Sequence, residues 1–263
     1  MDPSSRDHRA LAVTFEMRGM VALVTLDAAP RRNALSCSLV SGLLDAVERS
    51  RREHARAIVI AGNGSAFCAG ASIGDLLDGW MEGASPDADP VRPFQRLVED
   101  DRVIIAAVRG AAIGGGFELT LSCDLVVAEP AAFFCLPELG HGVIPNTALA
   151  KRSHLVESRR ALDLILTRLK VTAEEAVGLG LVTCTAPAGQ AVQRALELAT
   201  EIVTAVPPRA LGVAKSCFNQ HSPSDWGRIK FSLQDVPTEG WREGLNAFVE
   251  RRKPDYERFW HAA

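Results

Sequence analysis

Apolar and polar positions along this chain change rhythm near its middle. In the first half, short β-branched runs recur between polar, glycine-containing breaks. Leu11 to Met17 and Val21 to Leu26, separated by Arg18-Gly19, predict a hairpin. Ala57 to Ala61, Val103 to Val108 and Phe133 to Leu136 are apolar runs of strand length. A turn over Ala29-Pro30-Arg31-Arg32-Asn33-Ala34-Leu35-Ser36 leads into a helix from about Ser38 to Arg52. From Asn146 or Thr147 onward the spacing becomes helical. Helices are expected over Ser158 to Leu169 and over Thr172 to Gly178, where Thr172 and Glu175 form a capping-box pattern. A short strand, Leu181 to Thr185, precedes helices near Gln190 to Val206, Arg209 to Gln220 and Trp226 to Gln234. The last helix, from about Thr238 to Arg252, is stopped by Pro254. Between Gly74 and Arg92 the pattern weakens, and Gly, Pro, Ser and Asp cluster after Trp80, as in many binding loops. Strand–helix alternation followed by helices predicts an α/β core over 11–200 and a helical C-terminal region over 201–263, after a disordered N-terminus over 1–10.

With 263 residues, 47% of them hydrophobic, the chain can bury a full core as one domain with a helical appendage. A net charge of −3 leaves no basic footprint for nucleic acid. No apolar run approaches the roughly 18 residues of a membrane span, and the polar first residues lack the apolar region of a signal peptide. A cytoplasmic protein without nucleic-acid or membrane partners is expected. The cysteines at 37, 68, 123, 135, 184 and 217 form no C-x-x-C pair and read as reduced core residues.

The candidate chemistry lies between Val103 and Glu138. The strand-like run breaks at Gly110, passes through Gly114-Gly115-Gly116 and resumes at helical spacing as FELTLSCD, a strand, glycine turn and helix. Such a turn frees backbone N–H groups at a helix start, where negative charge is favoured. Glu118 lies one helical turn after Gly115, and Glu138 follows the run Phe133 to Leu136. One free N–H and two carboxylates can therefore share a pocket. Taken singly, a glycine cluster is more often a tight turn and a lone Glu a solvated charge. A second small-residue stretch upstream, Ser65-Ala66-Phe67-Cys68-Ala69-Gly70-Ala71-Ser72, changes that balance, because small side chains let another backbone approach a ligand closely.

FCAGAS, GAAIGGGFELTLSCD, FFCLPELGHGVIP and the tail EGWREGLNAFVERRKP resemble, in order and spacing, the crotonase superfamily of enoyl-CoA hydratases and isomerases. The resemblance runs from about Val13 to about Tyr256. It implies a crotonase-like (ClpP/crotonase) α/β spiral of repeated ββα units, with tail helices forming a homotrimer or a dimer of trimers. It implies an oxyanion hole from the backbone N–H groups of Ala71 and Gly115, with Glu118 activating water and Glu138 moving the proton at C2. Arg32, Ala34, Ala69, Ser72, Ile73, Gly114, His141 and Asn146 are the substrate-binding candidates that follow from it, Arg32 toward the pantetheine or phosphate portion of CoA. For His141 a turn or core position is the more ordinary role, as is a structural one for the aromatics Trp80 and Phe94. Arg251, Arg252 and Lys253 lie where some relatives reach a neighbour's CoA, or form a solvated basic helix end.

The activity so implied is reversible syn addition of water to a 2-enoyl-CoA, with no metal or redox cofactor. Three positions depart from the family's pattern: Ser72 where Asp is usual, Gly74 where Lys is common, and Asn146 in place of a glycine. Asn146 either orients a polar acyl group or obstructs the water. These departures keep alternatives open: an isomerase, or a dehydratase or decarboxylase acting on a CoA-bound or acyl-carrier-protein-bound thioester. A non-catalytic acyl-CoA-binding homologue is a third reading, which the two retained glutamates disfavour.

Overall fold

A computed structural model describes residues 12–77, 91–141, 143–145, 148, 158–220, 243, 247 and 250–260. β1 (Val13–Arg18) and β2 (Val21–Leu26) form the expected antiparallel hairpin. Its ladder extends to Arg18 opposite Val21, so the reversal falls on Gly19-Met20, with Gly19 at φ +61. α1 (Cys37–Arg52) begins behind Ser36, whose hydroxyl accepts the Leu39 N–H. That bond satisfies one of the donors a helix start leaves free.

Three strand pairs follow: β3 (Ala57–Gly62) with β4 (Ala66–Cys68), β5 (Val103–Val108) with β6 (Ala111–Ile113), and β7 (Leu125–Ala128) with β8 (Phe133–Cys135). The first member of each joins a six-stranded sheet in the order β1, β2, β3, β5, β7 and β10 (Cys184–Thr185), parallel from β2 onward. The second members form a smaller sheet, β4, β6, β8 and β9 (Val171–Thr172), in which only β9 is antiparallel. Helices α2 (Ile73–Leu77) and α3 (Arg92–Glu99) follow β4, and α4 (Gly115–Leu121) follows β6. The chain thus winds as ββα units, each adding one strand to each sheet. Five further helices are described: α5 (Ser158–Thr167), α6 (Ala173–Gly178), α7 (Ala191–Ala205), α8 (Pro208–Gln220) and α9 (Glu257–Trp260).

β3 and β5 are buried on both faces, as strands within a covered parallel sheet must be. Their alternate residues divide between two cores. Ile58, Ile60, Ile104 and Val108 pack with Leu39, Leu43, Phe67 and Phe134, whereas Ala57, Val59, Val103 and Ile105 face Ala191, Ala195, Ala199 and Val203 of α7. The small residues recur every fourth position of α7, so that helix lies close on the sheet. The last described segment returns to this body, where the buried Arg56 guanidinium donates to both carboxylate oxygens of Glu257, at 2.7 and 2.5 Å.

Several expectations need correction. A strand, β6, lies between β5 and the glycine turn, and the run Leu181 to Thr185 is strand only at Cys184–Thr185. Glu243 and Ala247 are helical, but residues 250 and 251 form a turn with Arg251 at φ +53, so the helix expected to reach Arg252 ends earlier. Only Cys68 is a core cysteine; Cys37 is exposed, the other four are half-buried, and all are free. Phe94 is buried in the main core, in keeping with the structural role expected for it. The N-terminus over 1–10, Trp80, the helix start at Asn146-Thr147 and the helix Trp226 to Gln234 lie outside the described residues. Among the described residues, no helix is long and apolar enough to cross a membrane.

Candidate active site

The two small-residue stretches meet through a short parallel ladder. Ala69 N–H donates to the Arg32 carbonyl at 3.0 Å, Leu35 N–H to that of Gly70 at 2.8 Å, and Ser72 N–H to that of Leu35 at 2.8 Å. In parallel pairing the residue between two such bonds turns its own N–H to the opposite side. Ala71 is that residue, bridged to Leu35. Its N–H has no acceptor among the described residues. Facing it is Gly115, the first residue of α4, whose N–H the helix leaves unpaired.

Glycine sets how closely these backbones approach. A Cβ at Gly115 would sit 2.9 Å from Leu35 Cδ1 and 3.7 Å from the Ala71 nitrogen. Gly114, at φ +54, turns the chain into α4, and a Cβ there would sit 2.9 Å from Glu138 Oε1. Its N–H donates to the Cys135 carbonyl at 2.8 Å, tying the glycine turn to the strand that delivers Glu138.

The two carboxylates have different surroundings. Glu118, on the buried face of α4, accepts the Ala148 N–H on Oε1 at 3.1 Å. Glu138 opens the 3-10 turn Glu138–His141, and both its carboxylate oxygens are buried with no hydrogen-bond partner among the described residues. Burial pushes its carboxyl up to about 7; its own backbone N–H, near but outside hydrogen-bond geometry, opposes this, and the nearby Glu118 charge reinforces it. Two acids side by side with divergent environments are suited to opposite halves of a proton transfer.

Residues 16–258 match the family model described as enoyl-CoA hydratase/isomerase. The chain belongs to this family. Its relatives include a Dictyostelium discoideum protein named "Probable enoyl-CoA hydratase, mitochondrial", 34% identical over 94% of this chain and 90% of the relative. The 2,3-dehydroadipyl-CoA hydratase of Escherichia coli is 32% identical over 90% of this chain and 95% of its own. Among solved structures, an enoyl-CoA hydratase subunit from Geobacillus kaustophilus superposes with a TM-score of 0.81 at 32% identity, covering 92% of this chain and 96% of that one. The spiral described above is accordingly the crotonase fold, and the chain is an enzyme of the crotonase superfamily.

Within this enoyl-CoA hydratase/isomerase chain, Arg32, Ala34, Ala69, Ala71 and Ser72 lie on the paired segments, while Gly114, Gly115, Glu118 and Glu138 gather behind them. Ile73 is 72% exposed, and His141 is exposed at the end of its turn. Asn146 lies outside the described residues. Arg252 is paired with Glu243 and Glu250. Two site-building residues escaped the sequence reading. Asp75 accepts from the Ser72 hydroxyl at 2.8 Å and from the Cys37 N–H at 2.9 Å, bonds that hold its carboxyl below the ordinary range. The pattern Ser-x-x-Asp, a helix-start signature, was its available signal. Asn33 is wholly buried beneath the ladder. Its signal was weaker: asparagine in a turn, where it tolerates a left-handed backbone.

Proposed function

We propose that this enzyme adds water reversibly, on one face, to the double bond of a 2-enoyl-CoA thioester. The Ala71 and Gly115 N–H groups donate to the thioester oxygen as it gains negative charge, which makes C3 electrophilic. Glu118 takes a proton from water as the water oxygen bonds to C3, and Glu138 gives its proton to C2. The proton left on Glu118 then passes back to Glu138, so that over the cycle one water is added and both carboxyls regain their starting forms. The CoA portion runs along Arg32, Ala34, Ala69, Ser72 and Ile73, with Gly114, His141 and Asn146 toward the acyl end. Oligomerisation into trimers, singly or paired, belongs to the same reading.

The observation that carries this reading is the carboxylate of Glu138 beside Gly114, buried with no hydrogen-bond partner among the described residues, and with Glu118 close enough to raise its pKa. Loss of the conjugated-thioester absorbance of crotonyl-CoA tests it. The parent should consume crotonyl-CoA, and Glu118→Gln and Glu138→Gln should each slow it by about 100-fold or more. An inert parent would reject short-chain hydration.

A second reading has its own support. The Ser72 hydroxyl is engaged by Asp75, and the position of a Cβ on Gly74 opens to empty space, so neither residue offers a cation to a CoA phosphate. A thioester on an acyl carrier protein, whose arm lacks the 3′-phosphate, would need none. Dehydration, decarboxylation or isomerisation of such a substrate would then use the same two carboxylates.

A further inference from the structure

Asn33 has 0% exposure and sits in a turn where it and Arg32 both adopt left-handed backbone, at φ +54 and +51. Its side chain joins two loops. Oδ1 accepts the Ala28 N–H at 2.9 Å, closing its own turn. Nδ2 donates to the carbonyls of Asn63 and Ala66 at 2.9 Å and of Phe67 at 3.1 Å. With one N–H on one side and, on the other, three carbonyls sharing the two hydrogens of Nδ2, the surroundings call for a side chain that both accepts and donates, as an amide does. A carboxylate cannot donate, and a hydroxyl cannot span both sides.

The carbonyls held by Asn33 belong to the approach to β4 and to β4 itself, the strand that runs directly into Ala69, Gly70 and Ala71. The residues flanking Asn33 carry the other half of the ladder: the Arg32 carbonyl receives Ala69 N–H, and Leu35 pairs with Gly70 and Ser72. The direction of the Ala71 N–H is therefore set by a ladder whose two strands are pinned together at Asn33. We propose that Asn33 is a positioning residue for the enzyme's carbonyl-polarising site: it acts through the Ala71 N–H and touches no substrate. The proposal rests on the thioester reading above. A misplacement of about 1 Å at such a donor costs about 100-fold in rate, so an amide that fixes its loop has a catalytic effect beyond its share of stability.

The test uses 4-dimethylaminocinnamoyl-CoA, a donor–acceptor chromophore whose absorbance moves to longer wavelength as its thioester carbonyl is polarised. Asn33→Asp and Asn33→Gly both tolerate the left-handed backbone and remove the donors. Leu43→Ala, on the buried face of α1, is the control for general destabilisation. At saturating protein, the parent and Leu43→Ala should give the same red shift. The Asn33 variants should bind the probe within about threefold of the parent yet lose at least half of the shift, with kcat on crotonyl-CoA about 100-fold lower. A full red shift in folded Asn33 variants would overturn the proposal. Failure of both variants to fold would also overturn it, because Asn33 would then serve the whole fold and not the donor. A parent that gives no shift would reject the thioester reading itself, a result distinct from either.

Discussion

Glu138 shows how one side chain can carry a site's pH behaviour. Folding moves its carboxyl from the ordinary 4.5 up to about 7, chiefly by burial, so the folded chain holds a proton that the unfolded chain releases. The sign follows: between about 4.5 and 7 the folded state binds more protons, and this group's contribution to stability falls as pH rises through that window. Melting temperature measured from pH 4.5 to 7.5 should fall less steeply in Glu138→Gln than in the parent. In the proposed mechanism hydration uses the pair with its one proton on Glu138 and dehydration the pair with that proton on Glu118, so both directions should decline together above about pH 7. A hydration rate that climbs steadily past pH 7 would remove Glu138 from the acid role. At this scale the sequence singled out Glu118 and Glu138 as candidates, because their 20-residue interval and flanking motifs are carried by the chain itself. The burial that separates their environments was not legible there, since it depends on which loops cover each one.

Elements with local determinants were read closely. Thr172 caps α6: its hydroxyl accepts the Glu175 N–H at 3.3 Å, and the Glu175 carboxylate accepts the Thr172 N–H at 2.8 Å. Thr172→Ala should cost about 1 kcal/mol. In a chain of this size that lowers the melting temperature by about 2–4 °C, with crotonyl-CoA turnover unchanged, as parallel thermal and kinetic assays would show. The hairpin of β1 and β2, and helices α1, α7 and α8, were likewise expected to within two residues, because a period of two or 3.6 persists long enough to be recognised. β6 has three residues between glycines, too few to display a period. It exists because β4 and β8 lie on either side of it, and that pairing is tertiary. Arg251 ends the last expected helix for a comparable reason: the chain turns so that Arg252 and the Asp255 N–H can both reach the buried Glu243.

At the scale of the molecule, the winding places the turn after β4 and the turn after β6 side by side, and that neighbourhood is the candidate active site. Exposed apolar side chains remain on the monomer, among them Leu139, Ile144, Leu162 and Leu166. Sedimentation equilibrium should therefore return a mass near three or six times the 28.2 kDa chain mass, and a purely monomeric species would remove the trimer from the proposal. The family and the α/β class were determined by the sequence alone, which also singled out Glu118 and Glu138 as candidates, because motif order and short-range periodicity are properties of the chain. The tertiary structure decided the rest. Among the described residues, the freedom of the Ala71 N–H comes from its position between two ladder bonds to Leu35, the raised pKa of Glu138 from burial without a partner, and the pinning of both loops from Asn33. Each depends on contacts between residues tens of positions apart, which no local pattern records.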